Sequence, residues 1–298
     1  MRRRPRPTAS LPAVLLVVAA LSASSPSMAP TAAVPDLSLA EVLGIARVSA
    51  PPLGTGLRIH ADFPAGRPYD VDGTRVTSLT VDITPTGDVL ITRMIAKPAS
   101  SGSTSGDGTN ECEDGQFTPE GVKWDRASMP LRWTFDYESA PAPLYKRRTE
   151  GKLIEAHAVW QNTYNRCDDA DSIDFAYEYA GRSWRGVRRD GVNSVGFGSL
   201  GGEALAVNYL WYQGTTAVET DLRFRKRDWM WSNRPERRDR YQVINVATHE
   251  LGHQIGLDDL GHDHSRLTMY GIVGRGELSK VSLGRGDVRG ATLLSPRI

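Results

Sequence analysis

The sequence predicts a mixed α/β (α+β) fold. Helices should pack on a sheet, with a small β-rich segment in front. Three observations point there. Ile244, Ala247, Leu251 and Ile255 recur at helical spacing, which gives residues 241–255 one apolar stripe. Residues 76–84 instead alternate, with Leu79, Val81 and Ile83 on one face. The turn signal Pro85-Thr86-Gly87-Asp88 and a second apolar run at 89–94 follow, so this stretch reads as a β-hairpin. Finally, 298 residues are enough for one substantial domain and a smaller one.

Taken from the start, residues 1–33 read as a secretory signal peptide. Arg2, Arg3 and Arg4 precede an apolar run at 11–21 and then small residues. The run is shorter than the roughly 20 residues a membrane span needs. Cleavage falls near Ala29 or Ala33, and Pro30 hinders the first; the Arg-rich start also fits a twin-arginine route. The expected location is therefore secreted, extracellular. Residues 36–43 read as a short helix capped by Asp36 or Ser38. Residues 34–97 as a whole are either a pro-region removed on activation or an accessory β module, near the lower size limit for folding alone. Residues 98–110 are a Gly/Ser-rich linker, exposed and open to cleavage. The domain at 111–298 follows.

A net charge of +1 singles out no acidic partner. Residues 223–240 hold eight basic and three acidic residues around Trp229 and Trp231. Such a stretch can contact single-stranded nucleic acid. One loop does not make a basic face, however, and it reads as a solvated segment with its tryptophans packed inward. The two cysteines, Cys112 and Cys167, would be oxidised in an exported chain, and closing that loop stabilises by a few kcal/mol.

The chemistry concentrates at His249-Glu250-Leu251-Gly252-His253-Gln254-Ile255-Gly256-Leu257-Asp258-Asp259. Helical residues four apart share a face, so His249 and His253 can direct two imidazoles at one metal ion. Glu250, one residue on, can reach a water there. Gly256 lets the helix stop and the chain turn back, so that Asp259 can supply a third ligand. Three protein ligands plus water is the open arrangement of a catalytic zinc. His262 and His264 lie close enough to compete with Asp259. Gly252 costs about 1 kcal/mol inside a helix, a local rule broken at the site itself.

This motif, continued by Leu267-Thr268-Met269-Tyr270-Gly271, resembles the metzincin clan of zinc metalloproteases and, within it, matrixin-like secreted bacterial proteases. Met269 matches the clan's methionine turn. The usual motif ends in histidine; Asp259 instead resembles the aspartate-ended, snapalysin-type variant. The resemblance extends over about 111–298 and implies a metzincin-like domain, a twisted, mostly parallel sheet with a long helix behind it and the zinc helix beneath a cleft: residues 129–136 look like the first strand, 156–162 the first long helix, 193–198, 206–211 and 217–222 the following strands and loops, and 283–290 the closing helix. It also implies pairing of Cys112 with Cys167, with Cys112 as a thiolate latency switch the alternative, although Glu111-Cys112-Glu113-Asp114 lacks the family's switch setting. It connects the acidic cluster Asp168, Asp169 and Asp171 with a structural Ca2+, the alternative being a solvated surface.

The expected function is a secreted, Zn2+-dependent endopeptidase. One catalytic zinc would be bound by His249, His253 and Asp259, and its water activated by Glu250. The resemblance implies a protein or peptide substrate lying extended along an edge strand near 204–210, with a side-chain pocket beside Met269. Nucleic acid and stable membrane association are not expected, and the chain is read as a monomer. The rivals are a non-catalytic zinc-containing binding module, and a zinc peptidase of another lineage drawing a later acidic ligand, Glu277 or Asp287.

Overall fold

A computed structural model describes residues 51, 54–64, 69–71, 74–95, 109–161, 164–170, 172–173, 175–227 and 230–296. The expected signal peptide, the 36–43 helix, the linker residues 98–108, Asp171 and Trp229 lie outside the described residues. Within them, no helix is long and apolar enough to cross a membrane.

The scaffold is a ten-stranded mixed sheet. Four strands come from the N-terminal segment: β1 (Gly56–Asp62), β2 (Tyr69–Val71), β3 (Thr74–Ile83) and β4 (Val89–Ile95). The hairpin read from the alternation is the β3–β4 pair. The other six are β5 (Lys123–Trp124), β6 (Leu131–Asp136), β7 (Tyr177–Ser183), β8 (Asn193–Gly198), β9 (Ala206–Gln213) and β10 (Thr216–Arg225). β10, β8, β6 and β7 run parallel in that order, and β9 is antiparallel to β10. The mostly parallel character thus holds for the C-terminal part, whereas β1–β4 add antiparallel strands. A short pair, β11 (Trp231–Ser232) and β12 (Tyr241–Gln242), leads into the second helix.

Alternation along β9 explains why both its faces are buried. Ala206, Leu210 and Tyr212 face the main core, while Val207, Tyr209 and Trp211 join a second core with Leu57, Ile59, Ala61, Leu79 and Val81. Strand side chains alternate between faces. In β1, Leu57, Ile59 and Ala61 therefore enter this second core, and Arg58, His60 and Asp62 point to the face that carries the helices.

Helix α1 (Lys146–Gln161) buries Leu153, Ala156, His157 and Trp160 at the i, i+3, i+4, i+7 spacing of one helical face, with Thr149 and Val159 buried beside them. Its Trp160 indole donates to the Thr248 carbonyl at 2.7 Å, docking α1 on helix α2 (Val243–Gln254), in which every residue is buried. The last helix, α3 (Arg285–Leu294), opens with Asp287 accepting from the Gly284 backbone N–H at 2.8 Å. A Cys112–Cys167 disulfide clamps the chain ahead of β5 to the segment just past α1.

The basic stretch at 223–240 is anchored at Arg225 and Trp231, while Lys226, Arg227, Arg234, Arg237 and Arg238 are exposed to solvent as the sequence reading expected. The Trp231 indole is buried and donates to the Arg225 carbonyl at 2.7 Å, and Arg225 itself is buried, donating to the carbonyls of Leu200, Ala204 and Gly201.

Candidate metal centre

Helix α2 carries His249 and His253 one turn apart, with ring centroids separated by 5.0 Å and planes at 85°. Each Nδ1 is tethered to a backbone carbonyl: His249 to Thr268 at 2.7 Å and His253 to Leu257 at 2.8 Å. A carbonyl only accepts, so both Nδ1 atoms carry the proton. Both Nε2 lone pairs then face the same space, the orientation metal-bound imidazoles show.

Two features of glycine shape this geometry. Gly256 has φ +99°, a left-handed conformation that ends α2. A Cβ there would also lie 2.3 Å from the Val122 carbonyl oxygen. Past that turn, Asp259 Oδ1 comes to 3.2 Å from His249 Nε2 and 3.7 Å from His253 Nε2. Gly252 explains its own helix penalty, since a Cβ would lie 2.1 Å from the Met269 sulfur. The missing side chain lets the Met269 turn press against α2.

The underside of the site is fixed by buried charges. Asp287 accepts from the backbone N–H groups of Thr268 (2.8 Å) and Met269 (3.1 Å). Lys280, fully buried, donates to the Thr268 carbonyl at 3.1 Å and to that of Tyr270. The Thr268 carbonyl that orients His249 is thereby held from two sides. His262 and His264 lie elsewhere, on a short 3-10 turn: His262 Nδ1 meets the Tyr270 hydroxyl at 2.9 Å and His264 Nδ1 meets Asp114 at 2.9 Å.

A fourth group completes the cluster. Asp62 Oδ2 of β1 lies 3.1 Å from His249 Nε2 and 3.8 Å from His253 Nε2. One ligand atom each of Asp62, His249, His253 and Asp259 fall within 4.8 Å of one another, and all four residues are buried. Tetrahedral zinc with bonds of about 2.0–2.1 Å separates its ligand atoms by roughly 3.3 Å, close to the spacing here. His249 Nε2, His253 Nε2, Asp259 Oδ1 and both Asp62 carboxylate oxygens form no hydrogen bond. Buried polar atoms are normally satisfied, so these five point to a cation as the partner they fit.

The charges of the cluster also act on one another. Burial opposes the charged forms, yet Asp62 is held well below the usual carboxylate range by the His249 and His253 rings. His253 is raised well above an ordinary histidine despite burial, by Asp259, Asp62 and Glu120. Glu250, whose two oxygens also form no hydrogen bond, is pushed well up by burial and then by the Asp62 charge. A dication in the pocket would act in the opposite direction.

The structure thus brings together His249, His253, Glu250 and Asp259 and leaves out His262, His264, Glu277 and Asp287. Glu277 accepts from the Gly274 backbone N–H and the Ser279 hydroxyl. Sequence reading missed Asp62, Lys280 and the neighbouring pair His60 and Glu120. Asp62 stands in an alternating stretch, Leu57 to Phe63, that could have been read as one more strand. Nothing local links it to a helix far downstream. The calcium expectation finds no support. Among the described residues, Asp169 pairs with Arg285 at 3.3 Å, and Asp168 and Asp169 belong to no metal-capable group.

The family model for matrixin (Peptidase_M10) matches residues 123–294, more than half of the chain. No curated protein matches it. Fold, cluster and match agree, and the chain belongs to the matrixin family of metzincin-clan zinc metallopeptidases.

Proposed function

We propose that this chain is a secreted endopeptidase whose zinc ligands are His249, His253 and Asp259 and whose general base is Glu250. The observation that carries the proposal is the convergence of two Nε2 atoms and Asp259 Oδ1 at 3.2 and 3.7 Å, each imidazole locked by a carbonyl behind it. Zinc held there would acidify a water and polarise the scissile carbonyl. Glu250 takes the proton from the attacking water and hands it to the leaving nitrogen, so no acyl-enzyme and no Ser or Cys nucleophile is needed. Asn208 of β9 donates to the Glu250 backbone carbonyl at 3.1 Å and so ties this part of α2 to the strand along which an extended substrate would pair.

Export is supported by the Cys112–Cys167 disulfide, since such bonds persist mainly in oxidising compartments. Residues 111–298 serve as the catalytic unit and 34–97 as a pro-region.

The test is zinc content together with casein cleavage, on intact chain and on chain nicked within residues 98–108, each with and without chelator. One zinc per chain and chelator-sensitive cleavage by the nicked form are expected. A chain without zinc, or cleavage indifferent to the chelator, would overturn the proposal.

A further inference from the structure

Strand β1 lies where a substrate would. It pairs antiparallel with β9 over seven positions, from Gly56↔Tyr212 to Asp62↔Ala206, and the Leu205 N–H donates to the Asp62 carbonyl at 2.7 Å. This is the stretch of sheet edge that an extended peptide would need. The ladder's alternation delivers Asp62 to the metal cluster, and a slip of one residue would send it to the opposite face.

The docking is specific. Arg58 donates to the Glu120 carbonyl at 2.7 Å and to its carboxylate at 3.2 Å, and pairs with Asp82 at 2.6 Å. His60 meets Glu120 at 2.7 Å and stacks on His253 with centroids 4.2 Å apart and planes 5° apart. The His60, Glu120 and His253 group is not itself a second metal centre, because His253 Nδ1 is committed to the Leu257 carbonyl. It is a clip that holds β1 against α2.

We infer that Asp62 is a fourth zinc ligand, delivered by a strand of the same chain that fills the substrate groove, so the chain as folded is latent; the inference rests on the zinc site proposed above. Three protein ligands leave a position open for water, and a fourth closes it. Both Asp62 oxygens lack hydrogen bonds, and one sits as near the His249 ring as Asp259 does. Opening the site requires β1 to leave β9, which removes the ligand and frees the groove in one movement; a nick within residues 98–108 permits it, because the β1 segment is then held by non-covalent contacts alone.

The test uses full-length chain loaded with cobalt(II) in place of zinc and reads the visible absorption of the metal as azide is added. Azide binds only where a coordination position is exchangeable. The wild-type spectrum is expected not to change. Asp62→Ala and the isosteric Asp62→Asn should both respond to azide and hold cobalt about tenfold more weakly or worse. Ile59→Pro, which breaks the β1 ladder with Asp62 intact, should also respond, and should cleave a short peptide at least tenfold faster than intact wild type. An azide response in wild type, or Asp62 variants that behave like wild type, would overturn the inference. If the Asp62→Asn and wild-type chains fold but neither takes up cobalt, the zinc site itself fails, and this inference with it.

Discussion

Replacing Gly252 with alanine sets two effects of known size against each other. Alanine favours a helix interior over glycine by about 1 kcal/mol, so on propensity alone the change stabilises α2. The structure opposes it. The new Cβ would lie 2.1 Å from Met269 Sδ, 2.9 Å from its Cε and 3.0 Å from Trp160 Cζ2. Ordinary contacts begin near 3.5 Å, so the sulfur must retreat by roughly 1.4 Å. A thioether is flexible, but Met269 is 1% exposed and Trp160 0%, and the indole is held to the Thr248 carbonyl at 2.7 Å. Overpacking of such a site costs about 1–3 kcal/mol. The expected net result is a loss of about 1 kcal/mol, read from urea unfolding of the zinc-loaded chain. Displacing Met269 also disturbs Thr268, whose carbonyl orients His249, so zinc should bind more weakly. In a Met269→Ala background the two shortest contacts are gone and only Trp160 Cζ2 at 3.0 Å remains, so the same substitution should cost less than in wild type, a positive coupling in the double-mutant cycle. A Gly252→Ala chain about 1 kcal/mol more stable than wild type would refute the close approach of turn and helix.

Asp259→Ala should weaken zinc binding at least tenfold, whereas His262→Ala and His264→Ala, whose rings face Tyr270 and Asp114, should leave it within a factor of about three; a zinc titration checks the order. Burial pushes the His157 imidazole down to about 3, so below the ordinary value near 6.5 the unfolded chain binds a proton that the folded chain does not. Stability is therefore full above that value and falls by about 1.4 kcal/mol per unit as pH drops toward 3. In His157→Phe that loss is absent, and unfolding free energies at pH 7 and pH 5 should move in the variant's favour by about 2 kcal/mol. The Cys112–Cys167 bridge spans 55 residues, and replacing both cysteines with serine should cost about 4 kcal/mol by loop entropy, seen as a lower urea midpoint.

What the sequence makes legible is what short-range periodicity and spacing encode. The stripe Ile244, Ala247, Leu251 and Ile255 marks α2, the alternation at Leu79, Val81 and Ile83 marks a strand, and histidines four apart on a helix can share one ion. The choice among Asp259, His262 and His264 is decided instead by the path after Gly256 and by the partners Tyr270 and Asp114, which no spacing reveals. The association of β1 with β9 is less legible still. Arg58, His60 and Asp62 read locally as one polar face of a strand, and that face acquires meaning only when paired with a strand about 150 residues later. The substrate edge expected near 204–210 is part of β9, with β1 laid along it. Gly252, a fault by helix propensity, becomes intelligible once Met269 is seen against it.

The most direct measurement compares wild type and Glu250→Ala, both nicked within residues 98–108, for zinc content and casein cleavage in parallel. The account predicts one zinc per chain in both and cleavage in wild type alone. Cleavage by the variant at the wild-type rate, or a wild-type chain that cleaves while holding no zinc, would contradict it.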